Sequence, residues 1–153
     1  MARAPFQVLI YPYRRVGENE FEFAVLRRTD VGWWQGIAGG GEDQETPLQA
    51  ARREMGEEAG IPPSAPLLPL DTVEPVPVTE LPDSYHWPKD LYVIPQYCFG
   101  VAVPDGRITL SHEHTEYEWL KYAEAYDRVR YDGNRTALWE LNQRLRGKGP
   151  REK

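Results

Sequence analysis

The chain has 153 residues, of which 41% are hydrophobic and 12% aromatic, a composition typical of folded globular proteins and unlike that of disordered chains. Its formal net charge is −6 and its basic residues are scattered along the sequence, which argues against a DNA duplex as the partner. The single cysteine, Cys98, excludes a disulfide within the chain and a zinc site built from cysteines, and we expect it to be a small core residue.

The length matches that of one ordinary domain, so we expect residues 1–153 to form a single domain. The apolar run near the N-terminus is far too short to span a membrane, and no small-residue cleavage site follows it. We therefore expect a cytoplasmic protein with no membrane partner.

The first predicted elements are strands. Residues 6–13 and 20–27 are strand-like runs separated by the turn signal VGEN, which indicates a β-hairpin. Residues 32–37 are rich in aromatic side chains and are predicted to form a further short strand. Glycine-rich backbone follows at residues 39–41.

A helix with clear ends follows these glycines. Thr46 and Gln49 form the pattern of a capping box, and Pro47 occupies the first helical position. Gly60, which is followed by two prolines, is a stop signal. The sequence therefore predicts a helix over residues 47–59.

The second half of the chain is predicted to contain more strands and a closing helix. The strands are expected at residues 67–78, 92–103 and 117–120, and the helix at residues 134–146. Residues 79–90 are typical of a long loop, which either covers a ligand or is a plain surface excursion. The order of the elements predicts the α/β class, with a mixed sheet between helices.

The helix over residues 47–59 has two distinct faces on a helical wheel. We expect its core face to consist of the apolar positions Leu48, Ala51, Met55 and Ala59. Arg52 lies at the edge of that face and is expected to point its charge outward. Another arc, roughly 100° wide, carries three carboxylates, Glu54, Glu57 and Glu58.

These three carboxylates lie near the C-terminal end of the helix, where the helix dipole disfavours negative charge. At a spacing of about 6 Å and an effective dielectric of about 20, each pair repels by roughly 2–3 kcal/mol. A solvated acidic surface is one explanation. We favour a hard divalent cation such as Mg²⁺, because carboxylate and carbonyl oxygens are its usual ligands and the glycine-rich backbone can approach the same ion closely.

The stretch GGGEDQETPLQAARREMGEEAGI, residues 39–61, resembles the signature box of the Nudix hydrolases. The matching positions are Gly39, Glu45, Arg53, Glu54, Met55, Glu57, Glu58, Gly60 and Ile61. The resemblance implies the family's α/β/α sandwich, with a mixed sheet and a loop-helix-loop metal-binding motif. It also implies cleavage of a nucleoside diphosphate linked to another group, with Mg²⁺ or Mn²⁺ as the cofactor and water as the nucleophile.

The resemblance also implies roles for individual residues of the box. Glu54, Glu57 and Glu58 would bind the metal ion together with the backbone carbonyl of Ala38, which directly precedes the box. Arg53 and Glu45 would form a buried or half-buried brace that orients the carboxylates. Gly39 and Gly60 would have structural roles.

The general base would come either from the box or from a later loop. Glu113 is our candidate in that loop, as a base and as a further metal ligand, and an exposed glutamate at a strand end is the alternative. His112 and His114 beside it could titrate, although loop histidines are usually only surface residues.

Outside the box the chain is most similar to the dihydroneopterin triphosphate pyrophosphohydrolases, some of which also accept dATP. The similarity lies in VLIYPY after Arg3, in LRRTDVGWWQGIAGG before the box, and in EHTEYEWL and GNRTALWEL after it. Carried over by position, Arg3, Arg27 and Asn134 would contact the substrate, with Ala38 at the floor of the pocket.

Several aromatic side chains are candidates for stacking on a heterocycle. They are Trp33, Trp34, Tyr85 and Trp87, and core packing is the alternative for each of them. Trp34 is our candidate among them for substrate binding. Trp119 and Trp139 occupy positions typical of packing.

The sequence therefore predicts a Mg²⁺-dependent pyrophosphohydrolase that acts on a nucleoside or pterin triphosphate and releases a monophosphate and pyrophosphate. Dinucleoside polyphosphates, ADP-ribose and capped RNA ends remain open as substrates. A non-catalytic nucleotide sensor is the alternative in a different class, although this chain keeps every box carboxylate. We expect a small-molecule partner and a monomer or homodimer.

Overall fold

The computed structural model describes residues 2–81 and 86–153. Seven strands lie in these ranges, namely β1 (Arg3–Gly17), β2 (Glu20–Arg28), β3 (Trp34–Gln35), β4 (Ile37–Glu42), β5 (Leu67–Pro77), β6 (Val93–Ala102) and β7 (His114–Lys121). The α-helices there are α1 (Pro47–Ala59), α2 (Tyr122–Arg128) and α3 (Asp132–Leu145), and a 3₁₀ turn covers Val78–Glu80. No helix in the described part of the chain is long and apolar enough to cross a membrane.

β1 is the central strand of a mixed sheet. One edge of β1 pairs antiparallel with β4 along its first half and with β2 near its end, so that Leu9 lies opposite Ala38 and Tyr13 opposite Phe23. Its other edge pairs in parallel with β6, where Leu9 lies opposite Cys98. β5 then pairs with β6, and β3 and β7 pair with β2.

Helices cover both faces of this sheet. On one face, α1 buries Ala51, Met55 and Ala59 against side chains such as Ile10 and Ile37. On the other face, α2 and α3 bury a second apolar cluster, which includes Ala125, Val129, Ala137, Leu138, Leu141 and Cys98. The predicted α/β/α sandwich with a mixed sheet is therefore confirmed, and Cys98 is a core residue.

The ends of α1 agree with the sequence prediction. The hydroxyl of Thr46 accepts a hydrogen bond from the backbone N–H of Gln49, and the Gln49 side chain accepts one from the N–H of Thr46. Gly60 ends the helix with a φ of 68°, a conformation that glycine adopts without the strain a Cβ atom would cause. The predicted hairpin is also present, as β1 and β2.

The glycine-rich segment at residues 39–41 is part of strand β4. A Cβ atom on Gly39, Gly40 or Gly41 would overlap the side chain of Glu54, Arg3 or Phe6, respectively. The glycines therefore let these side chains pack directly on the strand backbone. Helix α2 was not predicted, because its short sequence YAEAYDR carries no capping box and no strong apolar period.

Three predictions about burial were wrong. Leu48 is 41% exposed, because the buried stripe of α1 lies closer to the acidic face and includes Glu54 and Glu58. Trp139 is 42% exposed, because its neighbours Ala137 and Leu138 form the buried face of α3. His114 is buried as the first residue of β7 and is not a surface residue. Trp119, in contrast, packs against the core as expected.

The segment at residues 79–90 lies only partly within the described residues, and Tyr85 falls outside them. Trp87 is buried beside Val76 and Ile94, and its indole N–H donates to the backbone carbonyl of Arg3 at 2.9 Å. The structure therefore supports core packing, not stacking on a ligand, for Trp87.

Candidate active site

An open cleft of about 1130 Å³ lies where β4, the acidic face of α1, and strands β5 and β6 meet. Box residues line one part of it, among them Gly39, Glu54, Glu57 and Glu58. Polar and aromatic residues from other elements line the rest, among them Gln7, Trp33, Glu74, Gln96, Tyr131 and Asn134. The cleft is slightly larger than the range of about 300–1,000 Å³ that is typical of small-molecule sites.

Arg53 is the centre of a hydrogen-bonded network beneath the carboxylates. Its guanidinium binds both oxygens of Glu45, at 2.8 Å from Nε and 3.0 Å from Nη2. It also donates to the backbone carbonyl of Gly40 at 2.8 Å, to Glu54 at 2.9 Å and to Glu57 at 3.3 Å. The hydrogen bond from Arg53 lowers the pKa of Glu45, so the ion pair expected from the sequence is present with both partners charged.

Glu54 faces the cleft although it is only 8% exposed. Burial raises the pKa of its carboxyl group to about 7, and the charges of Glu57 and Glu58 act in the same direction, while Arg53 opposes them. The carboxyl group packs against the backbone of Gly39, where a side chain would overlap it. At neutral pH the charged form of this carboxylate is thus poorly solvated. A cation in the cleft would offset the free-energy cost of burying its charge.

Glu58 is 5% exposed and is held from the loop before β7. The hydroxyl of Ser111 donates to Glu58 Oε2 at 2.7 Å, and the backbone N–H of Ser111 donates to the Glu58 carbonyl at 3.3 Å. His114 Nδ1 lies 3.5 Å from the same Oε2 atom. Burial lowers the pKa of His114, and its ring nitrogens make no hydrogen bond within the described residues.

The other two carboxylates are more accessible. The Glu57 side chain is 57% exposed at the rim of the cleft. Glu113, from the loop before β7, lines the cleft next to Glu58. Partial burial and the neighbouring charge of Glu58 both raise the pKa of Glu113. The structure therefore brings Glu113 to the box carboxylates, as the sequence hypothesis requires.

The donor set suits a hard divalent cation. All the candidate ligands are oxygens, and the carboxylates of Glu54, Glu57, Glu58 and Glu113 outnumber the nearby guanidinium of Arg53. Ala38, whose backbone carbonyl is the remaining candidate ligand, also lines the cleft. In the described part of the chain, however, no three His, Cys, Asp or Glu side chains are close enough to hold an ion in their present positions.

Two of the four side chains proposed to contact the substrate lie in the cleft and two do not. Arg3 and Asn134 line it. Arg27 is not among the lining residues; it donates to the carbonyl of Gly32 at 3.2 Å and lies opposite Glu116 of β7. Trp34 packs beneath Arg128, 5.0 Å from its guanidinium carbon, with the second apolar cluster.

The two adjacent tryptophans point in different directions because successive side chains in extended backbone alternate between the faces of a sheet. Trp33 faces the cleft, where its ring meets that of Tyr131 edge-on at 5.9 Å, whereas Trp34 faces the core. Both tryptophans were stacking candidates from the sequence, and Trp34 was the one expected at the site. The structure favours Trp33.

Asn134 is held firmly at the floor of the cleft. It is 2% exposed, and its Oδ1 atom accepts hydrogen bonds from the Tyr11 hydroxyl at 2.5 Å and from the backbone N–H of Gly36 at 3.2 Å. Since two donors occupy the oxygen, the orientation of the amide is fixed and its NH₂ group remains as a donor.

Sequence reasoning missed several polar residues of the cleft. Ser111, Gln7, Glu74 and Gln96 were not identified. Gln7 and Gln96 did carry a signal, because each is an amide side chain within a run that is otherwise apolar or aromatic. Ser111 and Glu74 carried none, since a loop serine and a strand glutamate are common on surfaces.

Comparison with known proteins agrees with this geometry. The NUDIX domain family model matches residues 7–140. The chain is 29% identical over 140 residues to the dihydroneopterin triphosphate diphosphatase of Escherichia coli (strain K12), covering 89% of this chain and 91% of that protein. It is also 34% identical over 117 residues to an octanoyltransferase of Myxococcus xanthus, covering 74% of this chain but only 30% of that protein.

A solved structure shows the same fold over nearly the whole chain. A protein of Listeria monocytogenes str. 4b F2365, described as a NUDIX hydrolase, superimposes with a TM-score of 0.81 and 38% sequence identity, covering 95% of this chain and 99% of that one. Hydrolases of this family generally use divalent metal cations. The chain therefore belongs to the Nudix family and is a pyrophosphohydrolase of that family.

Proposed function

We propose that this enzyme hydrolyses a diphosphate linkage in a nucleoside triphosphate or pterin triphosphate, such as dATP or dihydroneopterin triphosphate, and releases a monophosphate and pyrophosphate. The observation that carries the proposal is the pair of buried carboxylates, Glu54 and Glu58, that face a cleft large enough for such a molecule. The similarity to the E. coli dihydroneopterin triphosphate diphosphatase over most of both chains supports the choice of substrate class.

The carboxylates of Glu54, Glu57, Glu58 and Glu113, with the carbonyl of Ala38, would hold Mg²⁺ or Mn²⁺. The chemistry expected of a divalent cation here is neutralisation of the diphosphate charge and activation of water. Arg53 fixes Glu54 and Glu57 through hydrogen bonds to both, and Glu45 in turn fixes Arg53. Rotation of the carboxylates is restricted in this way before any ligand arrives.

Glu113 is the proposed general base. It is accessible from the cleft and lies beside Glu58, and its raised pKa brings it closer to the range in which a carboxylate accepts a proton efficiently. Arg3 lines the same cleft, where its positive charge would attract the phosphates of the substrate. Asn134 would offer its fixed NH₂ group to the non-phosphate part of the substrate.

A substrate screen in ¹⁸O-labelled water tests this proposal. The purified protein is incubated with MgCl₂ and a panel that contains dihydroneopterin triphosphate, the deoxynucleoside triphosphates, a dinucleoside polyphosphate and ADP-ribose. We expect turnover of a triphosphate to a monophosphate and pyrophosphate, with one product carrying the label. Turnover of ADP-ribose or the dinucleoside polyphosphate alone would contradict the proposed substrate class.

A further inference from the structure

A series of hydrogen-bonded side chains lines the cleft from Arg3 to Glu74. Arg3 Nη2 donates to Gln7 Oε1 at 2.7 Å, and Gln7 Nε2 donates to Gln96 Oε1 at 3.0 Å. Gln96 Nε2 then donates to Glu74 Oε2 at 2.7 Å. These side chains come from β1, β6 and β5, where Gln7 lies opposite Gln96 and Gln96 opposite Glu74 in the strand register.

The two end groups of this hydrogen-bonded series, Arg3 and Glu74, determine the direction of every hydrogen bond in it. A guanidinium can only donate and an ionised carboxylate can only accept, so both glutamine amides must point their NH₂ groups toward Glu74. The register of three adjacent strands holds the side chains in place, and Gln96 is only 5% exposed. The hydrogen-bonded series therefore has a fixed polarity, with its cationic end at Arg3 and its anionic end at Glu74.

Glu74 also has a local structural role, which must be separated from any role in binding. Its carboxyl group packs against Gly133, where a side chain would overlap it, and accepts a hydrogen bond from the Gly133 backbone at the start of α3. This bond and the one from Gln96 use two acceptor positions of a carboxylate that has about four. The remaining lone pairs belong to a half-buried group that lines the cleft.

The surroundings of Glu74 favour a ligand that supplies hydrogen-bond donors. Burial raises the pKa of its carboxyl group, and the charges of Glu80 and Asp132 add to the effect. Added N–H donors would stabilise the charged form. Trp33 and Tyr131 line the same cleft with aromatic rings, which suit a planar heterocycle.

We propose that Glu74 recognises the two adjacent N–H donors, ring N–H and exocyclic NH₂, of a 2-amino-4-oxopyrimidine edge. Guanine and pterin rings share this edge. Adenine instead presents an NH₂ group beside an unprotonated ring nitrogen, whose lone pair would face the carboxylate. This inference rests on the proposed function, because it assigns the heterocycle end of the substrate to the same cleft, and among the substrates proposed there it favours the pterin triphosphate over dATP.

A binding experiment tests the assignment without requiring hydrolysis. Dissociation constants of GMP, AMP and neopterin are measured by isothermal titration calorimetry in EDTA, with the full chain, with Glu74→Gln and with Glu80→Gln. Glu80 lines the same cleft but is exposed, so Glu80→Gln is a matched control for the loss of one negative charge. Thermal unfolding of each variant is recorded in parallel.

The parent protein should bind GMP or neopterin roughly 10- to 100-fold more tightly than AMP, the range expected for hydrogen bonds to a charged group. Glu74→Gln should lose most of that preference, and Glu80→Gln should keep it. Comparison of GMP with neopterin identifies which of the two rings the cleft prefers.

Equal affinity of the parent for GMP and AMP would overturn the inference, and this measurement does not depend on whether Glu74→Gln folds. An unchanged preference in a folded Glu74→Gln variant would overturn it as well. Failure of the proposed hydrolysis is seen separately, as an absence of triphosphate turnover in protein that binds GMP or neopterin selectively.

Discussion

The guanidinium of Arg53 binds both carboxylate oxygens of Glu45 and, from the same planar group, reaches Glu54, Glu57 and the carbonyl of Gly40. One residue of α1 thereby links the loop before the helix, strand β4 and two of the three box carboxylates. Arginine is required for this arrangement because lysine has one ammonium group and cannot form the planar two-point contact.

Replacement of Arg53 by lysine should therefore reduce activity more than it reduces stability. We expect kcat to fall roughly 10- to 100-fold, the usual effect of removing a residue that orients metal ligands. Arg52→Lys is the matched control, because the Arg52 side chain donates to the backbone carbonyls of Pro63 and Ala65 and, among the described residues, to no carboxylate of the box. Steady-state kinetics of both variants at several Mg²⁺ concentrations measure the effect, and equal losses in the two variants would argue against the orienting role.

Gly39 and Gly56 should respond in opposite ways to the same substitution. Gly39→Ala places a methyl group against the carboxyl group of Glu54 and should lower the free energy of unfolding by about 1–3 kcal/mol while displacing that carboxylate. In Gly56→Ala the added Cβ atom makes an ordinary van der Waals contact, because its nearest neighbour, the carbonyl oxygen of Ile61, is 3.7 Å away. Because alanine is the better helix former, this variant should gain about 0.5–1 kcal/mol. Urea unfolding of both proteins provides the comparison.

The stability of the metal-free protein should depend on the protonation of Glu54. Burial raises the pKa of this carboxyl group from its ordinary value of 4.5 to about 7 in the folded protein. The folded state therefore binds more protons than the unfolded state between these values, so stability falls as the pH rises through that window. Glu54→Gln removes this dependence.

We expect Glu54→Gln to gain stability relative to the parent between pH 5 and pH 8 in EDTA. Addition of Mg²⁺ at pH 8 should raise the melting temperature of the parent but have little effect on the variant, because the variant has lost a proposed metal ligand. The melting temperatures of parent and variant are measured at pH 5 and pH 8, with and without Mg²⁺, to test both expectations. A constant difference between parent and variant across this pH range would count against the buried, titrating carboxylate.

Glu140 should show the opposite pH dependence, at a site far from the box. Burial acts to raise the pKa of its carboxyl group, but the side chains of Thr72 and Arg144 and the backbone N–H groups of Asp71 and Thr72 outweigh it and hold the pKa below 4.5. These bonds, three of them between 2.6 and 2.8 Å, join α3 to β5. The stabilising contribution is therefore fully present above pH 4.5 and is lost as the pH falls through the lowered pKa.

Glu140→Gln should accordingly cost about 1–3 kcal/mol of unfolding free energy at pH 7, where it removes charged hydrogen bonds from a buried group. The difference from the parent should shrink below about pH 4, where the parent carboxyl is also neutral. Glu124→Gln, on the exposed side of α2, is the control and should change stability little at either pH. A difference that grows on acidification would contradict this sign.

Local patterns in the sequence predicted the position of α1 and its ends, because the capping box of Thr46 and Gln49 and the αL residue Gly60 act over a few residues. The family box similarly predicted the pair formed by Arg53 and Glu45. Both features depend on residues fewer than ten positions apart, so a linear pattern contains them.

The features that sequence reasoning missed depend on long-range packing. The contact of Ser111 with Glu58 and that of Gln7 with Gln96 join residues 53 and 89 positions apart. Their partners follow from strand register and from the path of the loop before β7, which local propensity does not specify. For the same reason the wheel placed Leu48 in the core, since the direction from which the sheet approaches α1 is a property of the whole fold.

The central claim is that the carboxylates of α1 carry out divalent-cation-dependent hydrolysis of a diphosphate, and Glu58 tests it most directly. The measurement is kcat/KM for the best triphosphate substrate with Mg²⁺, for the parent, for Glu58→Gln and for Glu18→Gln, an exposed control in the turn between β1 and β2. We predict a loss of roughly 10²- to 10⁴-fold for Glu58→Gln, within the range for removal of a group that acts at the reacting centre. Glu18→Gln should match the parent. Full activity in Glu58→Gln, or the absence of turnover of any diphosphate-containing compound by folded parent protein, would contradict the account.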